Sequence, residues 1–346
     1  MNISPGKLWG LRRLADAAGH WKMVAIDQRT PLFEPIAAKR GTKEPPVEDV
    51  VAVKRLLARH LAPRASAILT DPIYGYLSAI DEIPANKGLV LSYEHSVTDN
   101  TPQGRKSTHI PNWSVAKTRR IGGDAVKVLV WYRPDAPREV CAHQEAFVQA
   151  AGEACREHDI VMLLEVLIYP LAGESAASLE PRRTQLVLDS IRPFCDPKFG
   201  VDIFKLEPPG PVHNVPDPNG KEAAALQAHY DRMAAMLPRP WVMLSAGAEA
   251  DDFERSLNYA YRAGAAGYLA GRAIWSQAFR HFPDYAAIEH SLAADSVAVL
   301  DRLNDLTDRA GSAWHDHAGF AGKMPAPAGQ QQLFPRDYPS MTISCA

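Results

Sequence analysis

Cysteine, long apolar runs and an excess of charge of one sign are all scarce in this sequence. Only four cysteines occur among 346 residues, without a CxxC or Cys/His spacing, which excludes a disulfide scaffold and the common zinc motifs. The net charge of -2 argues against a dedicated nucleic-acid binder. No run of about 18 apolar residues predicts a membrane span, and no apolar run near the first residue predicts a signal peptide. We therefore expect a cytoplasmic protein without membrane or nucleic-acid partners.

The sequence instead contains short apolar, β-branched runs that alternate with longer amphipathic segments, which is typical of repeated βα units. The link between the second and third runs, YGYLSAIDEIPANK, has little room for a full helix. The pattern predicts a single (β/α)8 TIM barrel over residues 1–320, with an N-terminal helical extension and an irregular C-terminal extension over 321–346. The eight predicted strands are 22–27, 66–71, 88–94, 125–132, 161–169, 202–207, 241–247 and 267–271.

Charged residues interrupt three neighbouring predicted strands. Side chains alternate along a strand, so Lys205 faces the barrel interior when its apolar neighbours Phe204 and Leu206 face the helices. The same alternation turns Lys127 and Glu165 inward on the fourth and fifth strands. We also expect Asp27 and Asp71 to lie at the C-terminal ends of the first two strands, where barrel enzymes place their chemistry.

A lysine in an apolar strand costs several kcal/mol to desolvate unless it is paired or neutral. One buried Lys–Glu pair is more often structural than catalytic. Two lysines beside one glutamate shift this balance, because a second cation and an apolar wall both favour the neutral amine at Lys205. A neutral amine can attack a carbonyl and form a Schiff base, with Glu165 moving protons.

The last two predicted strands end in LSAGA (244–248) and LAGRAIW (269–275). Backbone N–H groups at such strand-to-helix turns can hold an anion, and the loops after strands seven and eight are the usual phosphate site of this fold. Arg272 opens the eighth helix as a bidentate partner for such an anion.

Taken together, these motifs resemble the class I, metal-independent tagatose-1,6-bisphosphate aldolase family. The matching stretches run in order over about residues 20–280. They are AIDQR (25–29), SAILTDPIYG (66–75), SYEHSVTDNTPQGR (92–105), GDAVKVLVWYRPD (123–135), LLEVLIY (163–169), FGVDIFKLEPP (199–209), LSAGAEADDF (244–253) and AGRAIW (270–275).

The resemblance implies a lyase that cleaves a ketose bisphosphate to dihydroxyacetone phosphate and an aldehyde without a metal or other cofactor. It implies that Lys205 is the Schiff-base lysine, Glu165 the acid/base residue and Lys127 a contact to substrate oxygens. It further implies two groups of substrate-binding residues. These are Asp27 and Gln28 for the hydroxyls, and Ser245, Gly247, Gly271 and Arg272 for a phosphate.

The chain departs from the family pattern after Lys205, in EPPGPVHNVPDPNG, and has no counterpart beyond about residue 320. Because the loop after strand six helps to line the barrel mouth, this difference leaves the second phosphate site open. The related sulfofructose-phosphate aldolases, which bind a sulfonate there, are an alternative. The candidates for the distal anion are Arg105, Lys106, Arg133 and His109.

Two further alternatives differ in class. A metal-dependent aldolase needs clustered histidines at strand ends, and HDH at 315–317 lies instead in a polar stretch after a helix. A non-catalytic sugar-phosphate sensor would keep the fold and use the tail to bind a partner. We also expect a homo-oligomer, since an apolar helix patch together with the tail would favour self-association.

Overall fold

Eight parallel strands close into a barrel in the computed structural model, which describes residues 2–329 and 333–338. Each strand pairs with the next along the chain, and the eighth pairs with the first. The strands are β1 Trp21–Ala25, β2 Ala67–Thr70, β3 Gly88–Ser92, β4 Ala125–Trp131, β5 Val161–Leu167, β6 Ile203–Leu206, β7 Trp241–Met243 and β8 Gly267–Ala270. The predicted TIM-barrel fold is confirmed.

All eight predicted strands are present, and each is shorter at its C-terminal end than the sequence predicts. The largest difference is in β7, which ends at Met243 instead of continuing to residue 247. Ala246 and Gly247 have φ angles of 49° and 85°, in the left-handed region that no strand can use. The apolar run therefore continues past the strand into a turn at the barrel mouth.

Helices surround the barrel. They are α1 Pro5–Leu14, α2 Thr30–Arg40, α3 Val47–Leu61, α4 Tyr76–Ala79, α5 Val115–Arg120, α6 Arg138–Glu157, α7 Ala176–Leu179, α8 Arg183–Ile191, α9 Ala223–Met236, α10 Ala250–Arg262, α11 Arg272–Phe279, α12 Tyr285–Ser291, α13 Val297–Ala310 and α14 Phe334–Asp337. As predicted, the link between β2 and β3 holds only α4 and a short 3₁₀ turn. The segment after β8 forms the three helices α11, α12 and α13.

The strand side chains divide into two apolar clusters. One cluster lies inside the barrel and includes Met23, Leu163 and Ile203. The other lies between strands and helices and includes Val128 and Phe204. This division follows the period-two alternation of β-strands, and it places the charged side chains of β4, β5 and β6 on the inner face.

The N-terminal end of the barrel is closed by apolar side chains. Leu11 and Leu14 of α1 pack under the strands together with Trp314 and Phe320. Burying a leucine side chain contributes about 1.5–3 kcal/mol, so this plug stabilises the end of the barrel that is opposite the mouth. The inner charged residues therefore open only toward the C-terminal ends of the strands.

The two ends of the chain meet in a small parallel pairing of Asn2–Ile3 with Ala326–Pro327. The boundary at residue 320 stays a prediction, and part of the proposed extension lies outside the described residues. Among the described residues, no helix combines the length and the apolar character that crossing a membrane requires.

Candidate active site

Two lysines and one glutamate meet inside the barrel at the C-terminal end of the strands. Glu165 Oε2 lies 2.9 Å from Lys127 Nζ and 2.9 Å from Lys205 Nζ. The strand register causes this meeting, because Glu165 pairs with Lys205 across β5 and β6 while Lys127 lies one layer lower on β4. All three side chains are less than a tenth exposed. The sequence-predicted trio thus forms one cluster around a single carboxylate oxygen.

Two more acidic groups contact Lys127. Asp27 Oδ2 lies 3.1 Å from Lys127 Nζ and accepts a 2.8 Å hydrogen bond from Ser92 Oγ. Glu94 Oε1 accepts a 2.8 Å bond from the same Nζ, and its Oε2 accepts a bond from the N–H of Leu129. Lys127 is therefore held by three carboxylates at once.

Ser92 and Glu94 were missed as site residues, although a signal for them exists in the sequence. Val90 belongs to the inner cluster, and Ser92 and Glu94 lie two and four residues after it, so all three share one face of an extended strand. The inward alternation that identified Lys127 would have identified these two residues as well.

The charges of this cluster are set by burial and by opposite charges. Burial alone would lower the pKa of Lys127, but Asp27, Glu165 and Glu94 raise it well above its usual range. Burial alone would raise the pKa values of Glu165 and Asp27, but Lys127 and Lys205 lower both. The cluster therefore holds a firmly protonated Lys127 and ionised carboxylates at neutral pH.

Facing Lys205, the turns after β7 and β8 supply the predicted anion-binding residues. Ser245 and Arg272 both line a cavity of about 420 Å³ that Lys205 also lines. The guanidinium of Arg272 lies over Gly247, where an added Cβ would be 3.6–3.7 Å from its nitrogen and carbon atoms. These turns combine a hydroxyl, an arginine at a helix start and backbone N–H groups, which together suit a phosphate.

Gly271 is required by close packing. A Cβ at this position would lie 2.6 Å from the carbonyl oxygen of Ala25 and 2.6 Å from Nε2 of Gln28. Any larger residue would push the Gln28 side chain aside. The predicted residues Gln28 and Gly271 are therefore neighbours, and the position of the Gln28 side chain depends on the absence of a side chain at Gly271.

A second cavity of about 690 Å³ continues from the first. Residues that line both cavities include Gln28, Glu165, Lys205 and Arg272. The two spaces are thus halves of one cleft at the barrel mouth, which we call the substrate cleft, with Lys205 at its centre. One end is lined by Ser245, and the other extends toward the loop after β3.

A family model for DeoC/LacD family aldolases matches residues 22–277. The chain belongs to this family of aldolases. The expected resemblance is confirmed, and the matched range covers the whole barrel from β1 to α11. The protein is therefore an aldolase, a lyase that acts on carbon–carbon bonds.

Curated relatives in the family agree in length and sequence. The tagatose 1,6-diphosphate aldolase 1 of Streptococcus mutans is 31% identical over 333 residues, which cover 91% of this chain and 100% of that protein. The tagatose 1,6-diphosphate aldolase of Listeria monocytogenes is 33% identical over 324 residues, which cover 91% of this chain and 95% of that protein.

Solved structures support the fold. A fructose-bisphosphate aldolase from Plasmodium falciparum superposes with a TM-score of 0.62 at 12% identity, over 95% of this chain and 98% of the other. An archaeal fructose-1,6-bisphosphate aldolase, whose catalytic lysine is bound to a carbinolamine intermediate, superposes with a TM-score of 0.56 at 12% identity. The superposition covers 87% of this chain and 98% of the other.

The aldolase cleft has an arginine at the end away from Ser245. Arg105 lies over the ring of Trp131 at 4.5 Å and over the ring of Tyr169 at 4.8 Å from the ring centroids. It lines the cleft together with Arg29, whose buried Nε has no hydrogen-bond partner among the described residues. Both cations thus line the end of the cleft away from Ser245.

The other three distal-anion candidates do not line the cleft. Arg133 is buried and bonds the carboxylate of Glu174, and Lys106 bonds Glu139. His109 stacks on a tyrosine ring next to the cleft. Of the four basic residues singled out from the sequence, Arg105 alone faces the substrate cleft.

The loop after β6, where the sequence departs from the family pattern, lies at the opposite end from Arg105. Val212 and His213 line the same cavity as Ser245 and Arg272. The loop therefore lines the barrel mouth, as the sequence predicts. The residues in which this loop differs from the family pattern therefore lie at the end of the cleft that holds the predicted phosphate-binding turns.

Asp71 directly follows the C-terminal end of β2, as the sequence predicts, but it is not among the residues that line the substrate cleft. It belongs instead to the turn after Thr70. Its Oδ1 accepts hydrogen bonds from the N–H groups of Ile73 and Tyr74, and its Oδ2 lies 2.8 Å from Lys54 Nζ.

The HDH stretch makes local contacts. His315 lies beside Asp316, and His317 Nδ1 accepts a hydrogen bond from the N–H of Gly319. Within the described part of the chain, the metal-like grouping of His and acidic side chains is Asp16, His20 and Asp308.

That grouping lies near the N-terminal end of β1, and its two carboxylates already bond Lys22 Nζ at 2.9 and 2.5 Å. An ammonium thus takes the place that a cation would need.

Proposed function

We propose that the protein is a class I aldolase that cleaves tagatose 1,6-bisphosphate to dihydroxyacetone phosphate and glyceraldehyde 3-phosphate. The observation that carries this proposal is the single oxygen of Glu165 shared by Lys127 and Lys205. A carboxylate 2.9 Å from an amine can accept its proton and return it to the substrate. The two tagatose-bisphosphate aldolases described above support the choice of sugar.

The reaction begins when Lys205 Nζ passes a proton to Glu165 and attacks the C2 ketone. The resulting carbinolamine takes the proton from Glu165 onto its hydroxyl and loses water, which leaves an iminium and an ionised Glu165. Lys127 stays protonated because three carboxylates hold it. Lys205 contacts the Glu165 oxygen that it shares with Lys127, so its proton has a direct route to Glu165. Lys127 therefore makes Lys205 the lysine that reacts.

Carbon–carbon cleavage follows from the iminium. Glu165 removes the proton from the C4 hydroxyl, the C3–C4 bond breaks, and its electron pair moves into the enamine. The aldehyde leaves, C3 takes a proton, and water hydrolyses the iminium to release dihydroxyacetone phosphate and the free Lys205 amine. The iminium is the electron sink, so the proposed reaction needs no metal or other cofactor.

Two anion sites hold the substrate across Lys205. The turns with Ser245, Gly247, Gly271 and Arg272 suit the phosphate on C1, next to the ketone. Arg105 and Arg29 suit the phosphate on C6, at the other end of the cleft. Burial lowers the pKa of Arg105, so a dianion beside it would relieve part of its desolvation cost.

Turnover assays test the proposal directly. Purified protein should cleave tagatose 1,6-bisphosphate at the same rate with and without a chelator such as EDTA, and Lys205→Met should abolish cleavage. Loss of activity with the chelator would instead support a metal-dependent aldolase. Absence of turnover with any ketose phosphate would support the sensor alternative, and preferred cleavage of a 6-sulfonate ketose would support the sulfofructose alternative.

We also propose a cytoplasmic homo-oligomer. Ile73, Leu77 and Ile80 are 50%, 82% and 38% exposed, and they lie before, within and directly after α4. Exposed apolar side chains this close together in the chain support contact with another subunit. Sedimentation velocity should give a species larger than a monomer, and Leu77→Glu should shift it toward the monomer.

A further inference from the structure

Lys54 of α3 is a lysine with no solvent exposure, and it lies outside the substrate cleft. Its Nζ donates hydrogen bonds to the carbonyl oxygens of Ile26 at 2.5 Å and Gln28 at 2.9 Å, and it lies 2.8 Å from Asp71 Oδ2. The two hydrogen bonds hold the main chain on either side of Asp27, and Asp71 supplies the opposite charge beside the ammonium.

The segment held in this way carries much of one wall of the cleft. Asp27, Gln28 and Arg29 are consecutive, lie beyond the end of β1 at Ala25, and all line the larger cavity. Past the strand end, Ile26 and Gln28 have carbonyl groups that need partners from elsewhere. Lys54 supplies these partners from the helix layer behind the barrel.

A purely structural ion pair would look different, and the chain contains one for comparison. Lys7 Nζ bonds Asp202 Oδ2 at 2.7 Å near the N-terminal end of the barrel, with both side chains about nine-tenths buried. Lys7 and Asp202 link α1 to the start of β6, far from the residues that line the cleft. The Lys54–Asp71 pair has the same chemistry but bonds the backbone next to Asp27.

We propose that Lys54 and Asp71 are positioning residues for the Asp27–Arg29 segment and, through Asp27, for Lys127. Asp71 holds Lys54, because its own Oδ1 is fixed by two backbone N–H groups of the following turn. Lys54 in turn holds the carbonyls that flank Asp27. Asp27 then keeps its 3.1 Å contact with Lys127. This inference rests on the proposed aldol cleavage.

A charge-free pair of substitutions tests the proposal. Lys54→Met/Asp71→Asn removes both charges together, which avoids the cost of leaving one buried charge unpaired. We expect kcat/KM to fall about 100-fold, since a shift of about 1 Å in a cleft wall can cost that much. The matched control, Lys7→Met/Asp202→Asn, should change kcat/KM less than about 3-fold even where it lowers the melting temperature equally. Equal losses of activity in the two variants would overturn the proposal.

A double-mutant cycle with Asp27→Asn separates positioning from general loosening. If Lys54 acts through Asp27, the Lys54→Met/Asp71→Asn pair should cost about 100-fold in the wild-type background and less than about 3-fold once Asp27 is Asn. Fully additive losses would contradict the proposal. A second test compares single variants and so does not require the double variant to fold. Lys54→Arg keeps the charge beside Asp71 and should retain at least about 10-fold more aldolase activity than Lys54→Met. Equal activity of these two variants would also count against the proposal.

The failure of this inference is distinguishable from failure of the proposed function. If the wild-type protein does not cleave the ketose bisphosphate, the proposed function fails. The positioning role alone fails if the wild type turns over, Lys205 is still trapped by borohydride in every Lys54 and Asp71 variant, and the Lys54/Asp71 pair behaves like the Lys7/Asp202 control pair.

Discussion

At the N-terminal end of the barrel Lys7 bonds one carboxylate, Asp202, whereas at the C-terminal end Lys127 contacts three. The first pair lies near an apolar plug, and the second opens into a cleft of about 690 Å³. Both ends bury a lysine side chain. The excess of carboxylates around Lys127 fixes that lysine as a cation, whereas the neighbouring Lys205 shares one oxygen of Glu165 with it. A buried lysine therefore becomes a candidate nucleophile through the second lysine beside it.

The largest expected effect comes from removing the nucleophile. Lys205→Met should lower kcat by at least about 10⁴-fold, because the other lysine of the cleft, Lys127, is held as a cation by three carboxylates and has no lone pair to form the imine. Lys7→Met, the same substitution at the opposite end, should leave kcat within about 3-fold. A steady-state assay on both variants checks this contrast, and comparable losses would mean that Lys205 is structural.

Replacing the shared carboxylate should have the next largest effect. Glu165→Gln keeps the shape of the side chain but cannot carry a proton, so kcat should fall about 10²- to 10⁴-fold, the usual contribution of general acid–base catalysis. The matched control is Asp202→Asn, the carboxylate of the structural pair. Single-turnover kinetics should show a slower approach to the imine, and an unchanged rate would remove Glu165 from the proton transfers.

Arg105 should affect binding of the substrate more than the chemical step. Arg105→Met removes the charge that faces the distal end, so KM for the bisphosphate should rise about 10- to 100-fold with little change in kcat. Its effect should vanish with a ketose 1-phosphate, which lacks the distal group. Lys106→Met, on the neighbouring position and bonded to Glu139, should leave KM unchanged. An equal rise in KM for both substrates would place Arg105 elsewhere.

The smallest expected effect is on acid stability. Asp27 is buried, and its pKa is lowered from 3.8 by nearby cations, chiefly Lys127. A lowered pKa adds stability that is fully present above the unfolded-state value and is lost as pH falls through the folded-state value. Between pH 5 and pH 3 this group should cost about 1 kcal/mol of unfolding free energy. Calorimetry should show a shallower pH dependence for Asp27→Asn, and an identical slope would contradict the charge assignment.

The cluster at the C-terminal end of the barrel could largely be predicted from the sequence. The alternation of side chains along a strand is a local property, and it correctly predicts that Lys127, Glu165 and Lys205 all face the barrel interior. The same rule would have included Glu94. It does not decide residues beyond a strand end: Asp27 lies past β1 and lines the cleft. Asp71 lies past β2 and instead contacts Lys54 and the backbone of the following turn.

Other contacts depend on tertiary packing and leave no local signal. Lys54 lies in an amphipathic helix whose sequence predicts only a buried stripe, and its bonds to Ile26 and Gln28 arise from how α3 packs behind β1. The stacking of Arg105 on Trp131 and Tyr169 brings together three separate segments. No spacing within one segment could have predicted either arrangement.

Borohydride trapping tests the central claim, that Lys205 forms an imine with the substrate, most directly. Protein incubated with tagatose 1,6-bisphosphate and sodium borohydride should lose activity irreversibly and carry one reduced adduct on the peptide that contains Lys205, identified by tandem mass spectrometry. Lys205→Met should carry none, while Lys7→Met should be labelled like the wild type. An adduct on Lys127 instead of Lys205, or no adduct from an enzyme that turns over, would contradict the account.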